Sequence, residues 1–239
     1  MKLKNNELLQ FKTVYQSTLA FENFLKEELK KNTTVLDIGC GTGGTLSYYV
    51  KKYQDIKFIG LDYREKKIAE AKRLYKIYNI TNNIDFIKFD IYKSIKYKKI
   101  QKPDGIISEK TFCTFKDITI PLKNLFKLKP KWIAINSLFY KGEVDVFIRI
   151  KETKRNYEEF YKNNNPDGDF NIFSINKLSR FLKKTNYKIT KIHEFFPKKK
   201  IISKKKYRGT YTMKTERNIN TCFSGPVYLP WYFILIKKV

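Results

Sequence analysis

Short apolar runs alternate with longer amphipathic stretches through the first 140 residues of the chain. Val35, Leu36 and Ile38 form a compact run that predicts a buried strand over 34–38. Comparable runs predict further strands over 56–62, 105–108 and 132–138, and the alternation of 84–90 predicts another. Between them, Leu46, Tyr49 and Val50 open a helical pattern that reaches about Lys52. Ile68, Ala71, Leu74 and Ile77 recur near one face of a helix over 64–78, and a further helix is expected over 120–128. Strands alternating with helices predict a parallel sheet covered on both faces.

The two ends depart from this repeat. Residues 5–31 read as one or two helices, with Leu8, Phe11 and Tyr15, then Phe21, Phe24, Leu25 and Leu29, at helical spacings. Tyr15 and Gln16 stand where a leading helix could reach a ligand, although packing alone explains them. Residues 140–172 are polar and aromatic, with Asn163-Asn164-Asn165-Pro166-Asp167-Gly168 near their end. Ser174 suits the N-cap of a helix through Lys184, followed by strands over 187–195 and 230–237. Residues 197–229 are too long for a plain hairpin loop. No linker divides the chain, so a single domain over 1–239 is expected, with 1–33 as a helical cover and two insertions, 140–172 and 197–229.

Candidate chemistry gathers behind the first strand. Gly39, Gly41 and Gly44 satisfy G-x-G-x-x-G, and Asp62 follows at a spacing suited to a ribose-binding acid. The glycines alone admit two ligands, a dinucleotide or S-adenosylmethionine. Asp37 discriminates between them. A carboxylate there repels a pyrophosphate at close range but attracts the ammonium and sulfonium of S-adenosylmethionine.

The string Val35-Leu36-Asp37-Ile38-Gly39-Cys40-Gly41-Thr42-Gly43 resembles the first motif of class I S-adenosylmethionine-dependent methyltransferases. The resemblance covers residues 34 to about 138. It implies an α/β fold with a seven-stranded, mostly parallel Rossmann-like sheet, helices on both faces and an antiparallel last strand. It also implies cofactor contacts from Asp37, Gly39, Cys40, Gly41 and Gly43, with Asp62 on the ribose and Tyr63 against the adenine. Asp90 and Ile91 would neighbour the adenine amino group. Ser108 and the segment after it would lie beside the methionine moiety.

Each acid has a plainer role open to it, since Asp commonly caps turns and helices. Glu109 is the candidate base, with a solvated or cofactor-packing role equally open. Tyr140 is a candidate for the acceptor pocket, or closes the core. His193, the only histidine, sits within a strand and is expected to be structural.

Composition shapes the choice of acceptor. The formal charge is +27, but only seven of the 50 basic residues are Arg. Lys-rich composition with abundant Asn and Ile can arise from A/T-biased coding, and Arg is the better fork for phosphate and guanine. A small, anionic acceptor such as a phosphorylated or nucleotide-linked sugar is therefore preferred. Tyr140, Tyr211, Phe223, Tyr228 and Trp231 are expected to enclose it. RNA is the second reading, resting on the charge and the lysine-rich 93–102 and 198–208 stretches. Third is a non-catalytic protein that keeps the cofactor fold, and an NAD-dependent oxidoreductase comes last. No Asn-Pro-Pro-Tyr or Pro-Cys motif of a nucleic-acid methylase is present. The three scattered cysteines suggest neither disulfides nor a metal site. No apolar run is long enough to span a membrane and no secretory leader is seen, so a cytoplasmic location is expected.

Overall fold

Eight strands share the main sheet of the computed structural model, which describes residues 5–93, 100, 102–150, 168–202 and 209–239. Two helices lead the chain, α1 (Asn5–Lys12) and α2 (Gln16–Phe24). The repeat follows: β1 (Thr34–Ile38), α3 (Gly44–Lys52), β2 (Lys57–Asp62), α4 (Glu65–Ile77), β3 (Ile84–Lys88), β4 (Gly105–Glu109), α5 (Thr119–Lys127) and β5 (Trp132–Tyr140). These elements fall within a few residues of the runs that predict them. β1, β2, β4 and β5 are buried on both faces, which explains their near-continuous apolar runs, whereas the edge strand β3 alternates and buries only Phe86.

After β5 come the short strands β6 (Arg149–Ile150), β7 (Gly168–Asp169) and β8 (Phe173–Ser174), then α6 (Ile175–Leu182) and β9 (Tyr187–Glu194). The chain ends with β10 (Thr210–Lys214), β11 (Asn220–Ser224), β12 (Val227–Tyr228) and β13 (Trp231–Lys238). The main sheet runs β3-β2-β1-β4-β5-β13-β9, with β8 paired to β5 off this path. β1 to β5 are mutually parallel, and β13 is antiparallel to both of its neighbours. The order reverses at β1, because the chain steps outward to β3 and returns on the other side as β4. In open α/β sheets ligands bind outside the carboxyl ends of the strands at such a switch.

Period-two alternation divides the core into two layers. Leu36, Ile106 and Ile133 face α5 and α6. Val35, Phe58, Ile107 and Ala134 face the opposite way, towards α2, α3 and α4. One helical position is corrected: α4 buries Ile68, Ala71, Leu74 and Tyr75, whereas Ile77 is exposed. Tyr75, four residues beyond Ala71, takes the core position in the last turn, and Ile77 rotates past the edge of the apolar stripe. Ser174 caps α6 as expected. Its Oγ accepts from the Lys177 amide at 3.0 Å and donates to the Gly142 carbonyl at 2.6 Å.

The insertions contain strands that the apolar pattern does not announce. β6 and β7 form an antiparallel pair, and β10, β11 and β12 form a separate three-stranded sheet. The two insertions meet in one small core, where Ile172 from the first joins Cys222 and Leu229 from the second around Leu138 and Cys113. Lys198, Lys199 and Lys200 are exposed, as a solvated run should be. The Asn163–Asp167 turn, Lys204-Lys205-Lys206 and most of 93–102 lie outside the described residues.

Candidate active site

On the face covered by α2, α3 and α4, the next positions after Phe58-Gly60, Val35, Ile107 and Ala134 are Asp62, Asp37, Glu109 and Asn136. Register keeps them in line: Asp37 lies opposite Gly60 and Ile107, and Glu109 lies opposite Asn136. Four adjacent parallel strands thus carry one polar row across the sheet, three of whose members are carboxylates.

The three acids have different partners. Asp62 is 3% exposed and accepts from the Gly41 amide at 3.0 Å and the Arg64 amide at 2.9 Å. The Arg64 guanidinium adds bonds of 3.0 Å to Oδ1 and 2.9 Å to Oδ2. Burial would push Asp62 up, but Arg64 and the two amides outweigh it and hold the carboxyl below its ordinary range. Glu109 accepts from the Tyr49 hydroxyl at 2.9 Å, Thr18 at 3.2 Å and Asn136 at 3.3 Å. Burial still raises its pKa, against the pull of Lys110 and these donors.

Asp37 is 6% exposed and makes no hydrogen bond or ion pair among the described residues. Burial, with Glu109 and Asp62 close by, holds its carboxyl well above the ordinary range. Taking an unpaired carboxylate out of water costs several kcal/mol in proteins. Of the three carboxyls in the row, Asp37 alone has neither a donor nor a cation on it among the described residues.

The loop after β1 supplies the adjoining cradle. Gly39, Gly41 and Gly43 all have positive φ, at 76°, 57° and 77°. The Gly39 and Cys40 amides donate to the Leu61 carbonyl at 2.7 and 3.0 Å, tying the loop to the end of β2. At Gly39 a Cβ would meet the Thr111 side chain at 2.3 Å, so the turn is closed there. A Cβ at Gly41 would meet nothing within 4 Å. It would project into open space next to Asp62, where the backbone can approach a ligand closely. Cys40 is half-buried beside this loop, with its thiol pushed up by burial and by Asp37 and Asp62.

The other expected residues divide into those at the row and those beyond it. Tyr63 is 65% exposed at the end of β2, with the Arg64 guanidinium 5.5 Å from its ring. Asp90 is partly exposed and accepts from the Tyr92 amide at 3.0 Å. Ile91 is in the core, and its carbonyl accepts from Asn124 at 2.8 Å. Ser108 faces the opposite layer, where its hydroxyl donates to the Ile38 carbonyl at 3.0 Å and pins β4 to β1. Tyr140 shares a face with Asn136 but stands four residues further along β5, about 13 Å at strand rise. It is half-exposed. His193 lies on edge strand β9, exposed and packed on Phe233 at 5.7 Å. Tyr211, Phe223 and Tyr228 form one aromatic row, with ring separations of 5.9 and 5.6 Å.

Sequence reasoning missed Thr18, Tyr49, Arg64 and Asn136, and it placed Lys110 only within the segment after β4 beside the methionine moiety, with no role of its own. Only Asn136 carries a signal, as an amide in the middle of an otherwise apolar strand.

A buried, unpartnered carboxylate beside an open glycine turn fits a cationic amino-acid moiety and does not fit a pyrophosphate. A family profile described as a methyltransferase domain matches residues 29–218. The chain belongs to the S-adenosylmethionine-dependent methyltransferases. Sterol 24-C-methyltransferase of Saccharomyces cerevisiae is 35% identical over 68 residues, which are 28% of this chain and 18% of the yeast protein. The chain thus matches less than a fifth of that relative's length. A methyltransferase structure from Aquifex aeolicus aligns over all of both chains at 18% identity, with a TM-score of 0.58. The Burkholderia thailandensis 1,6-didemethyltoxoflavin-N1-methyltransferase, with S-adenosylhomocysteine bound, aligns over 94% of this chain and 79% of that one. Its identity is 12% and its TM-score 0.60. S-adenosylmethionine is the cofactor of this family. Among the described residues, no helix of this methyltransferase fold is long and apolar enough to cross a membrane.

Proposed function

We propose that the protein transfers the methyl group of S-adenosylmethionine directly to a small, anionic molecule. The small core shared by the two insertions carries the size argument. Ile172, Cys222 and Leu229 close over Leu138 and Cys113 at the carboxyl end of the sheet. Asn171 adds two bonds from the first insertion to the segment after β4, donating to the Cys113 carbonyl at 2.7 Å and the Phe115 carbonyl at 2.8 Å. Gln16 clasps Lys199 in both directions, at 3.0 and 2.7 Å, and so joins α2 to the second insertion. A roof built in this way suits a discrete acceptor better than an open track for a polymer. The yeast relative is named for a sterol, and the Burkholderia structure holds 1,6-didemethyltoxoflavin. A phosphorylated or nucleotide-linked sugar combines that size with the charge that a chain of +27 attracts.

Asp37 would hold the cofactor ammonium, and Asp62 its ribose hydroxyls. Tyr63, Asp90 and Ile91 would border the adenine. When bound in this row, the cofactor would supply an electrophilic methyl group on a sulfonium that becomes a neutral thioether once the acceptor atom has taken the methyl. Much of the rate can come from alignment alone. Glu109 keeps one of about four acceptor positions unfilled and is more basic than an ordinary carboxylate, so it suits a proton released by the acceptor. Tyr140 would stand at the rim.

The test incubates the protein with methyl-labelled S-adenosylmethionine and separate small-molecule and RNA fractions of a cell extract. Label in the small-molecule fraction supports the proposal. Label in RNA alone, or cofactor binding without turnover on either fraction, rejects it.

A further inference from the structure

Lys110 follows β4 directly, one residue beyond Glu109 in the polar row. Its backbone has φ 62°, a left-handed conformation that side-chain-bearing residues rarely adopt. The conformation is fixed from both sides. The Lys110 amide donates to the Asn136 carbonyl at 2.7 Å, and the Cys113 thiol donates to the Lys110 carbonyl at 3.4 Å. The side chain is thereby directed inward, and it is mostly buried.

The ammonium lies 4.6 Å from the centre of the Tyr15 ring, at the start of α2. Cys222 and Cys113 also act on it electrostatically, and both belong to the core shared by the two insertions. Glu109 supplies the nearest negative charge, but the three hydrogen bonds to its carboxylate come from Tyr49, Thr18 and Asn136. Lys110 Nζ makes no hydrogen bond and no ion pair among the described residues. One ring face offsets only a small part of what an ammonium loses on leaving water.

We propose that Lys110 is the anchor for an anionic group, a carboxylate or a phosphate, on the methyl acceptor. This rests on the small-molecule reading above and adds the group that the acceptor must carry. The placement fits the chemistry. Asp37 and Asp62 repel an anion from the cofactor half of the row, and Lys110 receives it under the roof. The acceptor is then held with its charged end towards Tyr15 and Cys222, and its methyl-accepting atom can lie over the cofactor.

Two measurements test the anchor. In the first, trace acetylation of the protein loaded with S-adenosylhomocysteine is mapped by peptide mass spectrometry. Inorganic phosphate or acetate should slow modification of Lys110 at least about threefold and leave the exposed lysines unchanged. Equal labelling of Lys110 with and without both anions rejects the anchor. In the second, methyl-labelled product from a small-molecule extract is separated on an anion exchanger for wild type, Lys110→Gly and Lys110→Arg. Glycine removes the ammonium while suiting the left-handed backbone, so loss of folding is not the expected failure. Wild-type label should elute with the anions. Lys110→Gly should lose about tenfold or more of it, with calorimetric affinity for S-adenosylmethionine within about twofold of wild type, and Lys110→Arg should recover part. Full activity of Lys110→Gly overturns the anchor alone, and a neutral labelled product overturns both the anchor and the anionic part of the proposed function, leaving only its small-molecule part. Label in RNA, or no label, overturns that reading, and the acetylation result then decides the role of Lys110 by itself.

Discussion

A single carboxylate carries most of the site's electrostatics. The Asp37 pKa is raised by burial and by its acidic neighbours Glu109 and Asp62. A carboxyl with a raised folded pKa contributes its full stability below the unfolded value and loses that contribution as pH rises through the folded one. The cofactor-free protein should therefore lose stability between the ordinary carboxylate range and the raised Asp37 value. Asp37→Asn should flatten this slope and raise Tm at neutral pH by about 2–4 °C, the shift that ~1 kcal/mol gives in a chain of this size. The same variant should bind S-adenosylmethionine far more weakly. In the wild type, affinity should rise with pH across that window, with a proton released on binding. Calorimetry in buffers of different ionisation enthalpy measures the proton. A flat affinity profile with no proton release would remove Asp37 from the ammonium site.

Arg64 sets a second condition at the same scale. A carboxylate offers about four acceptor positions, and Asp62 has four donors on it. Two ribose hydroxyls can bind there only if the guanidinium gives way. Arg64→Ala should strengthen S-adenosylmethionine binding about threefold or more, and Asp62→Ala should weaken it several-fold. Weaker binding by Arg64→Ala would mean that the guanidinium stays with the cofactor. Asp37 and Asp62 were legible in the sequence because one interrupts an apolar run two residues before the glycines and the other ends the next run. Arg64 was not, and Lys110 was legible only as part of the segment after β4, because one lysine or arginine among 50 basic residues carries no signal of its own until the backbone shows where it points.

Whole elements were legible in proportion to how much apolar surface they bury. β1, β2, β4 and β5 are buried on both faces and could be read as runs, β3 could be read by its alternation, and Ser174 could be read as a cap because an N-cap needs its own oxygen. β10 to β12 could not. Their buried positions are Thr212, Thr221, Cys222 and Ser224, of which only Cys222 is apolar. Removing the cap by Ser174→Ala should cost about 1 kcal/mol in chemical denaturation, within the usual range for such caps. The clasp between Gln16 and Lys199 makes a separate claim about elements. If it holds the roof down, Gln16→Ala should raise amide exchange across β10 and β11 while leaving β1 and β4 protected. Unchanged exchange in β10 and β11 would show that the insertion is held by its apolar core alone.

At the scale of the molecule, a strongly positive chain turns a row of carboxylates inward. The +27 charge attracts anions from solution, and Asp62, Asp37 and Glu109 provide a local negative field at the carboxyl edge of the sheet. The arrangement can hold a cationic cofactor and gather an anionic acceptor without the two competing for one surface. The exposed ion pairs on the surface do little for stability, since such pairs contribute about 0–1 kcal/mol each. Surface charge of this kind will also bind RNA non-specifically, so RNA binding does not identify the acceptor. Salt does. Non-specific RNA binding should fall by orders of magnitude between about 50 and about 200 mM salt, because each phosphate contact releases a counterion. Transfer to a small acceptor held by the one ammonium of Lys110 should fall only severalfold over the same range, since a single charge pair has a shallow salt dependence. Filter binding and labelled-methyl turnover measured in parallel give the two slopes. Parallel slopes would assign the methyl group to RNA, and diverging slopes would assign the charge to the surface and the chemistry to the pocket.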